Sequence, residues 1–437
     1  MTSMKRRLAL IMTLSLLGAL ACDEGALPQL DGPTSPIEDS AFVLPPSQAQ
    51  ASNPEGHWPR ELRSVAMDID DRLVMRNSAD EINERLGKLT LNLPLLSRVT
   101  NQDCVALNRA EMIEPRATLE RQLEQIRAEG VTIDELVVNV ELLTPKRAGI
   151  YHTCLGGVGP IYYNPEHRAH VLSALQDLAE LDGLSAVTIG VELNAYYHLN
   201  NISTGQSARW DYPNLVSLYH EAYTLMKELN PELMIGPGLS WTKLMNQTTP
   251  EVAEELSLDL EDRNQRELAL ELALKRSVWS LLVNDEGELM ADFVGVSLVS
   301  KQGEVPFEGN AEREQGDITA YFAQVGLMGA PLHPIDRSPL PSLPLAFSQL
   351  DWSSPNNANA SGKGPYLERL KVALAHISPL FVSWLRLSDL PTQPASTSVC
   401  GGYTSEPKSY PETFCYAGLF DSSGVAREAW ELFTSNP

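Results

Sequence analysis

Cysteine is scarce in this chain, five residues in 437, and basic charge is weak: 33 Lys and Arg stand against 57 Asp and Glu, a formal net charge of −24. So few cysteines exclude a disulfide-framed miniprotein, and the 28 glycines follow no period of three, which excludes a collagen-like chain. With 21% charged and 43% hydrophobic residues, neither a coiled coil nor a wholly disordered chain fits. No basic cluster follows the first ten residues. An acidic surface repels phosphate backbones, so nucleic acid is not expected as a partner. Several catalytic signatures are also missing: the chain has no G-x-S-x-G elbow, no H-E-x-x-H and no C-x-x-C. His167 with His170 reads as a solvated helix face, and Asp68, Asp70 and Asp71 as an acidic turn. Neither a metal nor a cofactor is expected.

The N-terminus reads as an export signal. Lys5-Arg6-Arg7 precedes an apolar run from Leu8 to Leu20, then Ala21 and Cys22. The run is shorter than the roughly 20 residues a permanent membrane span needs. Ala19-Leu20-Ala21-Cys22 resembles a lipoprotein lipobox, with Ala19 where such motifs prefer Leu. The resemblance implies lipidation of Cys22 and an exported bacterial lipoprotein, membrane-anchored in the periplasm or at the cell surface. Residues 23–56 are rich in Pro, Ser, Gln and acids without hydrophobic period, the composition of a disordered tether. The expected organisation is a signal peptide over 1–21, a lipid-anchored linker over 22–56 and one folded domain over 57–437. Cys104, Cys154, Cys400 and Cys415 remain, an even number in an exported protein. Of three pairings, Cys400 with Cys415 closes a short loop and is preferred, leaving Cys104 with Cys154.

Short apolar strands alternate with amphipathic stretches through the folded part. Strands are expected at Ser64–Ile69, Leu95–Val99, Glu135–Leu142, Ala186–Glu192, Leu233–Leu239, Asp292–Leu298, Leu343–Leu350 and Pro379–Leu387. Between them, Ser78 with Glu81 makes a capping box, Leu119, Leu123 and Ile126 run to Gly130, and Leu215 to Leu229 ends at Asn230-Pro231. Eight strands alternating with helices predict a single-domain (β/α)8 TIM barrel, because parallel strands need helical crossovers. A doubly wound sheet is the rival, but no Gly-rich phosphate loop follows the first strand.

Barrel chemistry sits at the C-terminal strand ends. Those ends carry Glu141, Glu192, Asn194, Trp241, Gln349, Asp351, Trp352, Trp384 and Asp389, with Tyr196 just after the fourth strand and Trp210 further along that loop. Tyr162 and Tyr163 lie in the loop after the third strand. Tryptophans at a carboxylate-lined mouth suit a poly- or oligosaccharide, whose C–H faces stack on rings while its hydroxyls meet the acids.

Three stretches resemble the retaining glycoside hydrolases of clan A. Thr188-Ile189-Gly190-Val191-Glu192 resembles a strand-four I-G-N-E motif, which implies Glu192 as general acid/base. Pro344 through Ser354 resembles the strand-seven motif that carries the nucleophilic Glu, and Gln349 stands at its place. Phe381-Val382-Ser383-Trp384, Asp389 and Gly418 to Arg427 resemble strand eight and its tail. Val191 replaces a sugar-binding Asn, and Val299 falls where many members carry a Tyr. Retaining hydrolysis needs two carboxyl groups about 5 Å apart, and an amide is a poor nucleophile. The resemblance therefore leaves two readings. One is a glycoside hydrolase with Glu192 as proton donor and an unconventional second acid: Asp351, on the same strand face as Gln349, or Glu141, Asp351 or Asp389 in a wider pair that activates water with inverting geometry. The other is an inactive barrel that binds carbohydrate, with Glu141, Asn194, Tyr196, Trp241, Trp352, Trp384 and Asp389 lining the cleft in either case.

Overall fold

The computed structural model describes residues 57–95, 114–143, 162–198, 208–301, 315–353, 362–389 and 416–435. Cys22 and the four cysteines of the disulfide expectation, with residues 1–56, lie outside the described residues.

Eight parallel strands close into a barrel in sequence order. They are β1 (Arg63–Ala66), β2 (Lys88–Pro94), β3 (Glu135–Glu141), β4 (Leu184–Ile189), β5 (Met234–Ser240), β6 (Val294–Lys301), β7 (Leu345–Ser353) and β8 (Val382–Trp384). The ring closes where Ser64 of β1 pairs with Ser383 of β8. The main intervening helices are α1 (Arg72–Arg85), α2 (Pro115–Ala128), α3 (Pro165–Ala179) and α4 (Tyr212–Leu229), then the short α5 (Trp241–Lys243). They continue with α6 (Thr249–Leu256), α7 (Arg263–Leu274), α8 (Ser280–Leu282), α9 (Gln315–Phe322) and α10 (Lys363–Ala373). A two-stranded parallel ribbon, β9 (Arg386–Ser388) with β10 (Gly418–Phe420), and the last helix α11 (Glu428–Thr434) complete the fold. No helix among the described residues is long and apolar enough to cross a membrane.

The fold is the expected (β/α)8 barrel, with two local differences. The second strand is Lys88–Pro94, immediately before the stretch expected to hold it. Its even-numbered positions, Thr90 and Asn92, are polar because they face a polar barrel interior, which weakens the apolar signal. The helix of the Ser78 capping box is preceded by another turn of helix: α1 begins at Arg72, and Ser78 sits at a kink with φ −129° where two helical stretches meet.

Inside the barrel the polar layer is internally bonded, as buried polar groups must be. Ser383 Oγ donates to Thr90 Oγ1 at 2.9 Å, and Ser64 Oγ shares a 2.5 Å hydrogen bond with the same oxygen. Asn139 Nδ2 donates to Asn92 Oδ1 at 3.1 Å and to the Ser348 carbonyl at 3.0 Å. Another interior cluster is apolar, formed by Val137, Ala186, Phe293, Ala346 and Phe381. Arg63, on β1, is buried, and its guanidinium donates to the carbonyls of Trp58, Thr434 and Ser435. The acidic turn is not solvated throughout: Asp71 is buried, accepting from the Asp68 amide at 2.7 Å and from the Ser388 amide at 3.1 Å. His167 is likewise buried, 5.5 Å from the Tyr162 ring, because it points inward from the first turn of α3.

Candidate active site

The strongest local anomaly lies just beyond β4. Gly190 has φ +71° and Glu192 has φ +56°. Glu192 is one of three described non-glycine residues in the left-handed region, a conformation that costs an L-residue about 1–2 kcal/mol. The tight turn is held from two sides. Asn194 bolts it to the end of β5, donating to the Ser240 carbonyl at 2.8 Å and accepting from the Ser240 amide at 2.7 Å. Gly238 on β5 gives it room, since a Cβ there would come 1.9 Å from the Gly190 carbonyl oxygen. Strained non-glycine residues cluster at functional sites, and barrel mouths are where such sites lie. Glu192→Gly is therefore expected to keep the fold and raise the melting temperature by about 1–2 °C, with strain relief partly offset by glycine entropy. A calorimetric scan showing a fall of several degrees would contradict that strain.

Ser297 on β6 donates to Glu192 Oε1 at 3.2 Å. Ser297 pairs with Ser240 on one side and with Gln349 of β7 on the other. The register reaches Gln349 through a bulge: Gly295 pairs with Ala346, then Ser297 with Gln349, so β7 spends one residue more than β6. An extra residue reverses the alternation beyond it. Paired residues of adjacent strands share a face, so Gln349 faces the same space as Ser297 and Glu192. Gln349 is 2% exposed and its Nε2 has no hydrogen-bond partner. Ser297 was not picked out from sequence, because its only signal is a serine near a strand end.

Asp351 follows Gln349 on the same strand face but is fully buried in an ion cluster. Lys363 Nζ, at the start of α10, lies 3.6 Å from Asp351 Oδ1 and donates to the Gly418 carbonyl at 3.3 Å and to that of Tyr416. Asp389 accepts from the Gly418 amide at 2.9 Å and pairs with Arg427. Burial pushes Asp351 up to about 7 against the opposing effect of Lys363, and burial lowers Lys363. This cluster lashes α10 to the β9–β10 ribbon. The structure thus engages both acids in structural pairing.

The tryptophans at strand ends turn into the wall of the barrel. Trp241 is fully buried, with its indole N–H on the Tyr321 carbonyl at 3.0 Å. Trp352 lies against Tyr366 with ring centres 4.7 Å apart. Trp384 bonds the Ala417 carbonyl at 2.8 Å and packs on Phe433, while its neighbour Ser383 takes the interior. Tyr196 is buried too, donating to Asp211 at 2.7 Å. Of the seven tryptophans only Trp210 is exposed; its ring lies 6.1 Å from that of Tyr163, which is exposed as well. Both stand on loops that follow strands, the third and the fourth. Glu141 lines a cavity of about 250 Å³ at the β1–β3 side of the mouth, with Asp68, Asn92, Gln122 and Arg386. A larger groove of about 610 Å³ runs along the flank past α4 and α7, beside Tyr212, Trp279 and His333, and contains none of the strand-end residues.

These features define a (β/α)8 barrel with a strained, buried glutamate and a facing amide at its C-terminal mouth. No protein-family model matches the chain, and no curated protein matches it in sequence. Its structural neighbours are clan A glycoside hydrolases, and the likeness is one of fold. A GH5_18 protein from Streptomyces cattleya, solved in complex with GlcNAc, is 13% identical with a TM-score of 0.53, covering 86% of this chain and 79% of that one. The exo-β-1,4-mannosidase Op5Man5 from Opitutaceae bacterium strain TAV5 is 11% identical with a TM-score of 0.51, covering 85% of this chain; this chain spans 58% of the mannosidase. A GH5_18 variant from Bifidobacterium longum, in complex with Manβ1-4GlcNAc, is 11% identical with a TM-score of 0.50, covering 85% and 76%.

Proposed function

We propose that this chain is an exported, lipid-anchored, glycoside hydrolase-like protein that acts on an extracytoplasmic poly- or oligosaccharide, with Glu192 as general acid/base. The observation that carries the reading is Glu192 itself: a carboxyl held in a left-handed turn at the end of β4, bonded by Ser297 and facing Gln349. A carboxyl so placed can protonate a glycosidic oxygen in a water-poor site. The exposed Tyr163–Trp210 pair and the polar cavity around Glu141 offer ring and hydroxyl contacts on the same end of the barrel. That proteins of the same fold include a mannosidase and GH5_18 proteins solved with GlcNAc or Manβ1-4GlcNAc supports a carbohydrate partner. The anchor rests on Lys5 to Cys22 and keeps the barrel at a membrane on a proline-rich tether.

Gln349 favours a second reading, an inactive barrel that retains carbohydrate binding, because the usual second carboxylate is absent from its place. A glycan panel tests both readings. The purified full chain in detergent is expected to bind at least one poly- or oligosaccharide saturably by calorimetry. New reducing ends mark the hydrolase, and binding without release marks the receptor. A panel with neither binding nor release would overturn the carbohydrate reading.

A further inference from the structure

The amide at position 349 is the least explained group in the site. Its Nε2 is buried, lacks a partner and belongs to a side chain sharing a face with Ser297 and Glu192. A buried donor without an acceptor is a standing cost unless a ligand supplies one. At the place of the usual nucleophile the chain offers an amide, Glu192 is the proton donor, and Asp351 and Asp389 are paired with Lys363 and Arg427. One chemical class supplies both missing pieces, a carbonyl oxygen to accept from Gln349 and an internal nucleophile: a sugar bearing a 2-acetamido group.

We propose that the site takes 2-acetamido-2-deoxy sugars, and that Gln349 Nε2 donates to the acetamido carbonyl oxygen and seats it beneath the anomeric carbon. The proposal rests on the carbohydrate reading and names its substrate class. Glu192 gives its proton to the glycosidic oxygen as the bond from that oxygen to the anomeric carbon breaks. The acetamido oxygen bonds to the anomeric carbon from the opposite side, closing an oxazolinium ring whose positive charge balances the Glu192 carboxylate. Water then attacks the anomeric carbon and passes a proton to Glu192. The ring C–O bond opens and the acetamido group is restored. No second carboxylate takes part, which removes the conflict between the fold and the amide.

The test uses matched oligosaccharides of gluco and galacto configuration, each with a 2-hydroxyl or a 2-acetamido group, titrated calorimetrically into the full chain in detergent. One acetamido series is expected to bind about 10- to 100-fold more tightly than its hydroxyl match, the cost of leaving a buried donor unpaired. Q349L is expected to erase that preference, so that the acetamido sugar and its hydroxyl match bind with equal affinity. Q349M keeps the length of the side chain but carries no donor, and is expected to erase it too. It provides the comparison if Q349L does not fold, with melting curves reporting on both. Equal affinity for matched sugars, or a preference that survives both variants, overturns the acetamido proposal and leaves the carbohydrate reading standing. Absence of binding to every sugar overturns both.

Discussion

Glu192→Gln is expected to reduce glycan release by about 10²- to 10⁴-fold, the usual contribution of a positioned general acid. The substitution keeps the shape and the capacity to accept from Ser297, so the turn beyond β4 and its anchoring through Asn194 persist. What is lost is the proton given to the leaving oxygen. The loss should therefore fall mainly on kcat, and substrates whose leaving groups depart without protonation, such as nitrophenyl glycosides, should suffer less at the bond-breaking step. Release at the wild-type rate by the glutamine variant would remove Glu192 from the mechanism and move attention to the cavity beside Glu141.

The second large effect concerns stability. Lys363→Met leaves Asp351 buried without its cation, and breaking such a pair from one side costs about 3–5 kcal/mol. The pH dependence has a defined sign. Asp351 stands at about 7 in the folded chain against 3.8 for an ordinary Asp, so the native state retains a proton that the unfolded chain releases. The stability from that proton is full below about 4 and is lost as pH rises through 7. Lys363 holds Asp351 down, and its removal pushes that carboxyl further up. The deficit of Lys363→Met should then be largest near pH 8 and shrink toward pH 5. Urea unfolding at the two pH values reads the difference; equal deficits would mean that another group is the one left bare.

Much of the fold was legible because parallel barrel strands are buried on both sides and read as apolar runs. Glu135–Glu141 is an example. Lys88–Pro94 was not, because Thr90 and Asn92 serve the polar interior, and a more apolar stretch next door drew the assignment. Glu192 was singled out by a local motif of five consecutive residues, and the structure finds its strained turn there. The relation of Gln349 to Ser297 was not, because it depends on one extra residue in β7 that no local pattern announces. The tryptophans show the same limit in another form. Position at a strand end places a residue near the mouth, but facing decides whether it lines the mouth or the wall, and Trp384 takes the wall because Ser383 takes the interior. Asp351 was expected as a second acid and Asp389 as a cleft residue, while their cations, Lys363 and Arg427, come from separate elements met only in three dimensions.

The clasp made by Arg63 bears on how the barrel comes into being. Its guanidinium meets carbonyls 371 and 372 residues further along the chain, and the strand that carries it completes the ring with β8. During synthesis Arg63 has only the nearby Trp58 carbonyl to meet, and the first strand must wait for its other two partners until the last helix has emerged. Contacts of such separation form late and slowly.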